Sequence, residues 1–192
     1  SPDYRSGFEN NIDEMEQLLD QALLLARGID KKETLKPRDL VILLSTLAAQ
    51  LEAERLLQHP DSKNQIHYKS ENSIKNSLIW DLAEQSFLRV LRNLVENALR
   101  YGDNKPVTIQ LSLHNQQPVI SILDKGPGIP EKDLDTVFRP FYRLESSRNL
   151  KTGGSGLGLA IVHQLCESLG WKISLHSRSG GGTEARLLLS SN

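Results

Sequence analysis

The run Gly153-Gly154-Ser155-Gly156-Leu157-Gly158-Leu159-Ala160-Ile161 sets glycine at alternate positions and then turns abruptly apolar. That pattern reads as a loop feeding a helix. With few side chains in the way, successive backbone N–H groups can face an anion, and the new helix adds the positive end of its dipole. Taken alone, a Gly/Ser-rich run also has the composition of a flexible linker, the lesser reading here. Two common phosphate motifs are excluded. A dinucleotide fingerprint requires a third glycine where Leu159 stands, and a P-loop requires Lys-Ser/Thr where Leu159-Ala160 stands.

Outward from this loop the chain alternates helices and strands. Downstream, the pattern predicts a helix from about Leu157 to Leu169, a strand from Trp171 to Ser177, a turn at Gly180-Gly181-Gly182 and a strand from Thr183 to Leu189. Upstream, the alternating runs Val107 to Leu113 and Val119 to Leu123 flank Asn115-Gln116-Gln117 and predict a hairpin. Short strands are expected at Gln65 to Lys69 and Ser77 to Trp80. Pro37 and Asp39 open a helix running to about Leu57, and a second runs from about Leu82 to Tyr101, closed by Gly102. Strands outnumber crossovers, which predicts an α+β fold, a two-layer α/β sandwich with a mixed sheet and its helices on one face.

The N-terminal part is different in kind. Phe8, Ile12, Met15, Leu19, Ala22 and Ala26 recur at a period of 3.5, the seam of a helical bundle, although one amphipathic helix lying on its own domain gives a similar stripe. Gly28 ends this helix, and Asp30-Lys31-Lys32-Glu33 reads as a charged junction. The expected organisation is therefore a long bundle-forming helix in 1–28, a linker in 29–33 and an α/β domain in 34–192. With 23 basic against 24 acidic residues, nothing suggests a nucleic-acid surface. The single cysteine, Cys166, excludes an internal disulfide and sits in an apolar helix, the setting of an inert buried thiol.

Three further stretches carry chemistry. Within the second α/β helix, Asn93, Asn97 and Arg100 form a polar stripe at i, i+4, i+7 beside a core stripe of Phe87 or Leu88, Leu91, Leu94 or Val95, and Ala98. A polar stripe is ordinarily a solvated face. Asparagine is a poor helix former, however, and the amide carbonyl is a hard oxygen ligand suited to Mg²⁺. Asp124-Lys125-Gly126-Pro127-Gly128-Ile129 follows a strand. It is either a tight turn opened by Asp or a carboxylate placed to accept a hydrogen bond from an exocyclic amine. Phe138-Arg139-Pro140-Phe141-Tyr142-Arg143 then precedes a polar segment, Leu144 to Thr152, that reads as a lid over phosphates.

Together these stretches resemble the ATP-binding catalytic domain of bacterial sensor histidine kinases, the Bergerat fold shared with gyrase, Hsp90 and MutL ATPases. Asn93 to Ala98 with Arg100-Tyr101 is similar to the family's N box, Asp124 to Ile129 to the G1 box, Phe138 to Phe141 to the F box and Gly154 to Ile161 to the G2 box, with Gly181-Gly182-Thr183 as the closing glycine motif. The resemblance spans about Leu82 to Leu189. The first helix resembles the second helix of the dimerisation hairpin, and the layout is most similar to the osmosensor-like group.

The resemblance implies ATP and Mg²⁺ as cofactors. It assigns Asn97 to the metal, Asn93 and Arg100 to the phosphates, Tyr101 to the adenine face and Asp124 to the adenine amine. It further assigns Arg148 with the lid to the γ-phosphate, and Gly154, Gly156 and Gly158 to the triphosphate cradle. Gly126, Gly128, Ile129, Phe138, Phe141, Lys151, Ser155, Leu157 and Thr183 complete the implied nucleotide site, and Asn93, Asn97 and Arg148 are its catalytic set. Implied partners are the histidine-bearing dimerisation hairpin and a response regulator, with a homodimer in the full-length protein, a cytoplasmic catalytic domain and a parent in the bacterial inner membrane. The family's phosphoacceptor motif, a histidine followed by an acid and Arg-Thr-Pro-Leu, is found at none of His59, His67, His114, His163 or His176, so the chain is expected to be truncated just after the hairpin turn. In the related ATPases a glutamate one turn before the metal asparagine activates water. Asn93 stands there instead, which favours transfer over hydrolysis. Two alternatives remain at this level, a nucleotide-sensing module without transfer and a plain ATPase.

Overall fold

The computed structural model describes residues 33–74, 76–144 and 155–190, together with Met15, Leu19, 21–23 and Leu25. Among the described residues from Glu33 on, seven strands and three α-helices follow in the order β1 (Lys36–Asp39), α1 (Leu40–Gln58), β2 (Ile66–Ser70), β3 (Ile79–Leu82), α2 (Glu84–Tyr101), β4 (Val107–His114), β5 (Gln117–Leu123), α3 (Gly158–Leu169), β6 (Lys172–Ser177) and β7 (Thr183–Leu188). Five strands form one sheet in the order β2-β4-β5-β7-β6, in which only the β2–β4 pair is parallel. This is the mixed sheet that the sequence predicts.

Register explains why the helices lie on one side. Ile109 pairs with Ile122 and Leu111 with Ile120, then Ile122 with Ala185 and Ile120 with Leu187, so one face is a continuous apolar layer. On the other face Gln110, Ser121 and Arg186 line up, and Ser121 Oγ donates to Glu184 Oε1 at 2.8 Å. Period-two alternation thus directs one face to the core and leaves the other polar.

α1 and α2 cover the apolar face. α1 buries Leu40, Leu44, Leu47, Ala48 and Leu51, and α2 buries Phe87, Val90, Leu91, Leu94, Val95 and Ala98, which includes the expected core stripe. Phe87 meets Trp171 edge-on with ring centroids 6.0 Å apart. α3 ends at Gly170, whose φ of 68° supplies the left-handed turn, and Trp171 N donates to Cys166 O at 2.9 Å. Burial pushes the Cys166 thiol up to about 12, in keeping with an inert cysteine.

Two expectations need correction. Pro37 lies in β1, not in the helix. Asp39 alone is the cap, its Oδ1 accepting from Val41 N at 3.0 Å and Leu78 N at 3.2 Å. β1 pairs antiparallel with β3 in a separate two-stranded sheet, where Pro37 is tolerated because an edge strand need not use every N–H. The strand expected at 77–80 starts two residues later, because Asp39 takes Leu78 N and so fixes the pairing from Ile79 onward.

Glu33, assigned to the charged junction, is tied into the α/β domain. Its carboxylate accepts from Gln85 N at 2.7 Å, Ser86 N at 3.0 Å and Ser86 Oγ at 2.8 Å. It therefore caps α2, whose own N-cap, Ala83, has no side chain to do so. The described positions before it are helical, and Met15, Leu19 and Leu23 are exposed while Leu25 packs on the core.

Candidate functional site

The two helices that follow β3 and the glycine loop meet across one cleft of about 1170 Å³, larger than the roughly 300–1,000 Å³ of most small-molecule sites. Its walls come from α2, from the loop after β5, from the start of α3 and from the turn between β6 and β7. Asn93, Asn97, Arg100, Tyr101, Asp124, Gly126, Gly128, Ile129, Ser155, Gly156, Gly158 and Thr183 all line it. Residues from four distant stretches of sequence are thus brought to one surface.

Asp124 is 7% exposed and sits where the chain leaves β5. Its Oδ1 accepts from Gly126 N at 2.8 Å and Thr183 N at 3.1 Å, and its backbone N donates to Thr183 O at 3.0 Å. A side chain at Gly126 would collide with the Tyr101 carbonyl, and one at Gly182 with the Asp124 carbonyl, so both glycines are demanded by close backbone approach. The motif is more than a tight turn, because β7 reaches back to hold the carboxylate in place.

The opposite wall is the polar stripe of α2. Asn93 Nδ2 donates to Arg89 O at 2.9 Å, a local bond within the helix. A Cβ at Gly158 would lie 3.0 Å from Asn93 Oδ1 and 3.6 Å from Asn97 Nδ2, so the first residue of α3 packs directly on both amides. Ser155 Oγ accepts from Leu157 N at 3.1 Å, shaping the turn into α3, and donates to Gln21 Oε1 at 3.0 Å. These are the contacts of a built loop from Ser155 onward, not of a linker. Glu96 stands at the rim. Solvent reaches it, yet the protein around it desolvates the carboxyl enough to raise its pKa above the usual range, against the pull of Arg92 and Arg100.

Phe138, Phe141 and Leu157 take other places. Leu157 is buried in the core, Phe138 packs beside His163 with ring centres 5.5 Å apart, and Phe141 is 71% exposed at φ 62°. Phe141 N donates to Gly156 O at 3.0 Å, so the aromatic segment is fastened to the glycine loop through its backbone. Arg148, Lys151 and Gly154 lie outside the described residues. Several cleft residues were given no site role in the sequence reading, Tyr142 and Arg178 among them. Tyr142, whose hydroxyl donates to Asp133 Oδ1 at 2.9 Å, was one residue past the aromatic box. Arg178, before the glycine turn, carries no pattern of its own.

Residues 83–192 match the model of the histidine kinase-, DNA gyrase B-, and HSP90-like ATPases. The chain belongs to that family. Among the family's curated members it is 32% identical over 181 residues to the sensor histidine kinase YkoH of Bacillus subtilis, covering 92% of this chain and 37% of that protein. It is 33% identical over 131 residues to the signal transduction histidine-protein kinase ArlS of Staphylococcus aureus, covering 68% and 28%. The chain therefore spans well under half the length of these relatives. By fold it is similar to full-length ShkA, solved in complex with AMPPNP, with a TM-score of 0.78 at 21% identity over 98% of this chain and 39% of that one. It also resembles the Acinetobacter baumannii histidine kinase AdeS, with a TM-score of 0.72 at 20% identity over 97% and 84%.

Proposed function

We propose that this chain is the ATP-binding kinase domain of a two-component sensor histidine kinase, which transfers the γ-phosphoryl group of ATP to a histidine on a dimerisation hairpin for relay to a response regulator. The observation that carries this reading is the pairing, across one cleft, of a fastened Asp124 with an asparagine wall packed on Gly158. Asp124 Oδ1 is spent on backbone donors, leaving Oδ2 for an exocyclic amine, while Tyr101 and Ile129 flank the same end. At the other end the N–H groups at the start of α3 suit phosphate.

Mg²⁺ fits this site as a shared ion, not a caged one. Among the described residues no group of three or more His, Cys, Asp or Glu side chains converges, and the Asn97 amide, which packs beside the start of α3, carries a single hard oxygen. Bound there, the ion would neutralise charge on the phosphates during transfer. The protein's own part is positional. Asn97 would hold the ion, Asn93 and Arg100 would orient the phosphates, and Arg148 with Lys151 would close over the γ-phosphate. Asn93 cannot accept a proton from water, so hydrolysis is disfavoured and the acceptor imidazole supplies the nucleophile.

The likeness to sensor histidine kinases supports reading the parent as a membrane sensor that dimerises and carries this domain on its cytoplasmic side. No helix among the described residues is long and apolar enough to cross a membrane. The test is incubation with labelled Mg-ATP. The chain should bind nucleotide without labelling itself, since none of its histidines has the acceptor context, and should label an added hairpin fragment carrying the family's histidine motif. Acid-labile self-labelling would point to an acceptor within this chain. Binding without transfer to the fragment would favour a nucleotide-sensing module, and hydrolysis without transfer would favour an ATPase.

A further inference from the structure

Arg178 lies in none of the family's boxes, yet it joins the two loops that carry base recognition. Its backbone closes the β6–β7 turn: Arg178 N donates to Gly182 O at 3.1 Å, and Arg178 O accepts from Gly181 N at 3.1 Å. Its side chain crosses to the neighbouring loop, where Nη1 donates to the backbone carbonyl of Asp124. That carbonyl is one residue past the last β5–β7 pair, Leu123 with Glu184, and so has left the sheet ladder. Left unmatched, it would carry the cost of an unpaired polar group at a half-closed site.

The geometry around Asp124 is then nearly complete. Its N–H is held by Thr183 O, its Oδ1 by two backbone N–H groups and its carbonyl by Arg178, while Oδ2 receives no donor from the described residues. An arginine suits this task better than a lysine, because its planar fork is rigid and the bond to the carbonyl is charge-assisted. The three glycines that follow, all at positive φ between 88° and 98°, place no side chain between Arg178 and Asp124.

We propose that Arg178 is the positioning residue for base recognition: its guanidinium fixes the Asp124 backbone so that Oδ2 faces the cleft and accepts the exocyclic amine of adenine. This rests on the nucleotide reading of the cleft. The experiment titrates the full 192-residue chain and its R178M and R178K variants with ADP and with IDP, in which a carbonyl replaces that amine, alongside thermal unfolding. Wild type should prefer ADP. R178M, which keeps the apolar stem, should lose about five- to tenfold in ADP affinity and less for IDP, so that the preference narrows. R178K, with one charged donor, should recover most of it.

An undiminished preference in R178M overturns the proposal, as does an equal proportional loss for both nucleotides, which marks a structural role only. Should R178M not fold, R178K decides: a small loss concentrated on ADP, narrowing the preference, supports positioning, and an equal proportional loss for both nucleotides overturns it. Wild-type protein that binds neither nucleotide would instead remove the nucleotide reading itself, before Arg178 is considered.

Discussion

Asp124, where the chain leaves β5, is 7% exposed and spends one carboxylate oxygen on two backbone N–H groups, whereas the side-chain amide of Asn97, toward the C-terminal end of α2, makes no hydrogen bond with the described residues. Both face the same cleft. The first wall is held by the protein before any ligand arrives, which suits a flat base that must meet fixed donors and acceptors. The second leaves the Asn97 amide uncommitted, which suits phosphate and a metal ion that bring their own geometry. A group already satisfied by the fold contributes stability. A group left open contributes binding, at some cost to the helix that carries it.

The sharpest break in this comparison comes from Asn97→Ala. If the open wall serves the ligand alone, phosphoryl transfer to the hairpin fragment should fall by about a hundred- to a thousandfold, the scale of losing one electrostatic contact in a transition state. Thermal stability should stay level or rise slightly, because alanine is the better helix former. Nucleotide titration with and without Mg²⁺ checks the assignment. An unchanged magnesium increment would take Asn97 out of the site.

On the fastened wall the same truncation should behave in the opposite way. Asp124→Ala strands Gly126 N and Thr183 N, at a cost of about 2–3 kcal/mol in unfolding free energy. Asp124→Asn keeps an oxygen for both donors and spares stability, yet should weaken ADP and ATP alike by about one to two orders of magnitude, since the charged acceptor for the amine is gone. Denaturant unfolding beside calorimetric titration separates the two. An effect of Asp124→Asn confined to ATP would place this carboxylate near the γ-phosphate.

The same contrast explains what was legible in the sequence. α2 could be read in detail because its two stripes are local: the 3.6 period shows the buried Phe87, Leu91, Leu94 and Ala98 together with Asn93 and Asn97 beside them. The Asp124 wall was legible only as a motif. What fixes it, Thr183 from β7 and Arg178 from the turn, lies more than fifty residues downstream, and no spacing rule links those positions. β1 was missed for a related reason. Lys36-Pro37-Arg38-Asp39 has neither apolar alternation nor a free N–H at Pro37, and it pairs only because β3 lies alongside. Glu33 looked like linker charge until its capping contacts with Gln85 and Ser86 placed it on α2.

That cap supplies a smaller test. The open wall can tolerate the unsatisfied Asn97 amide because α2 is secured elsewhere, by its buried face and by Glu33 at its start. Glu33→Ala should cost about 1 kcal/mol, the usual worth of a helix cap. Glu33→Gln, which keeps an acceptor, should cost less. Hydrogen exchange would place the loss in the first turn of α2. An effect spread evenly over the domain, or none, would show that the cap is not what anchors this wall.

The smallest expected effect concerns Glu96, the one carboxylate that α2 brings to the rim of the cleft. Desolvation raises its pKa above 4.5 although Arg92 and Arg100 pull the other way, so the ionised form disfavours folding. The sign follows from linkage. Below the unfolded value the group is neutral in both states and costs nothing, and the penalty develops as pH rises through the folded value. Glu96→Gln should therefore stabilise the domain at pH 7 by under about 0.5 kcal/mol, solvent access having screened most of the effect. That gain should vanish below the usual carboxylate range. Transfer and hydrolysis rates should both hold within about twofold, because Glu96 points about 100° around the helix from Asn97. If hydrolysis instead collapsed while transfer survived, Glu96 would be the base that activates water, and the open wall of α2 would hold a proton acceptor after all.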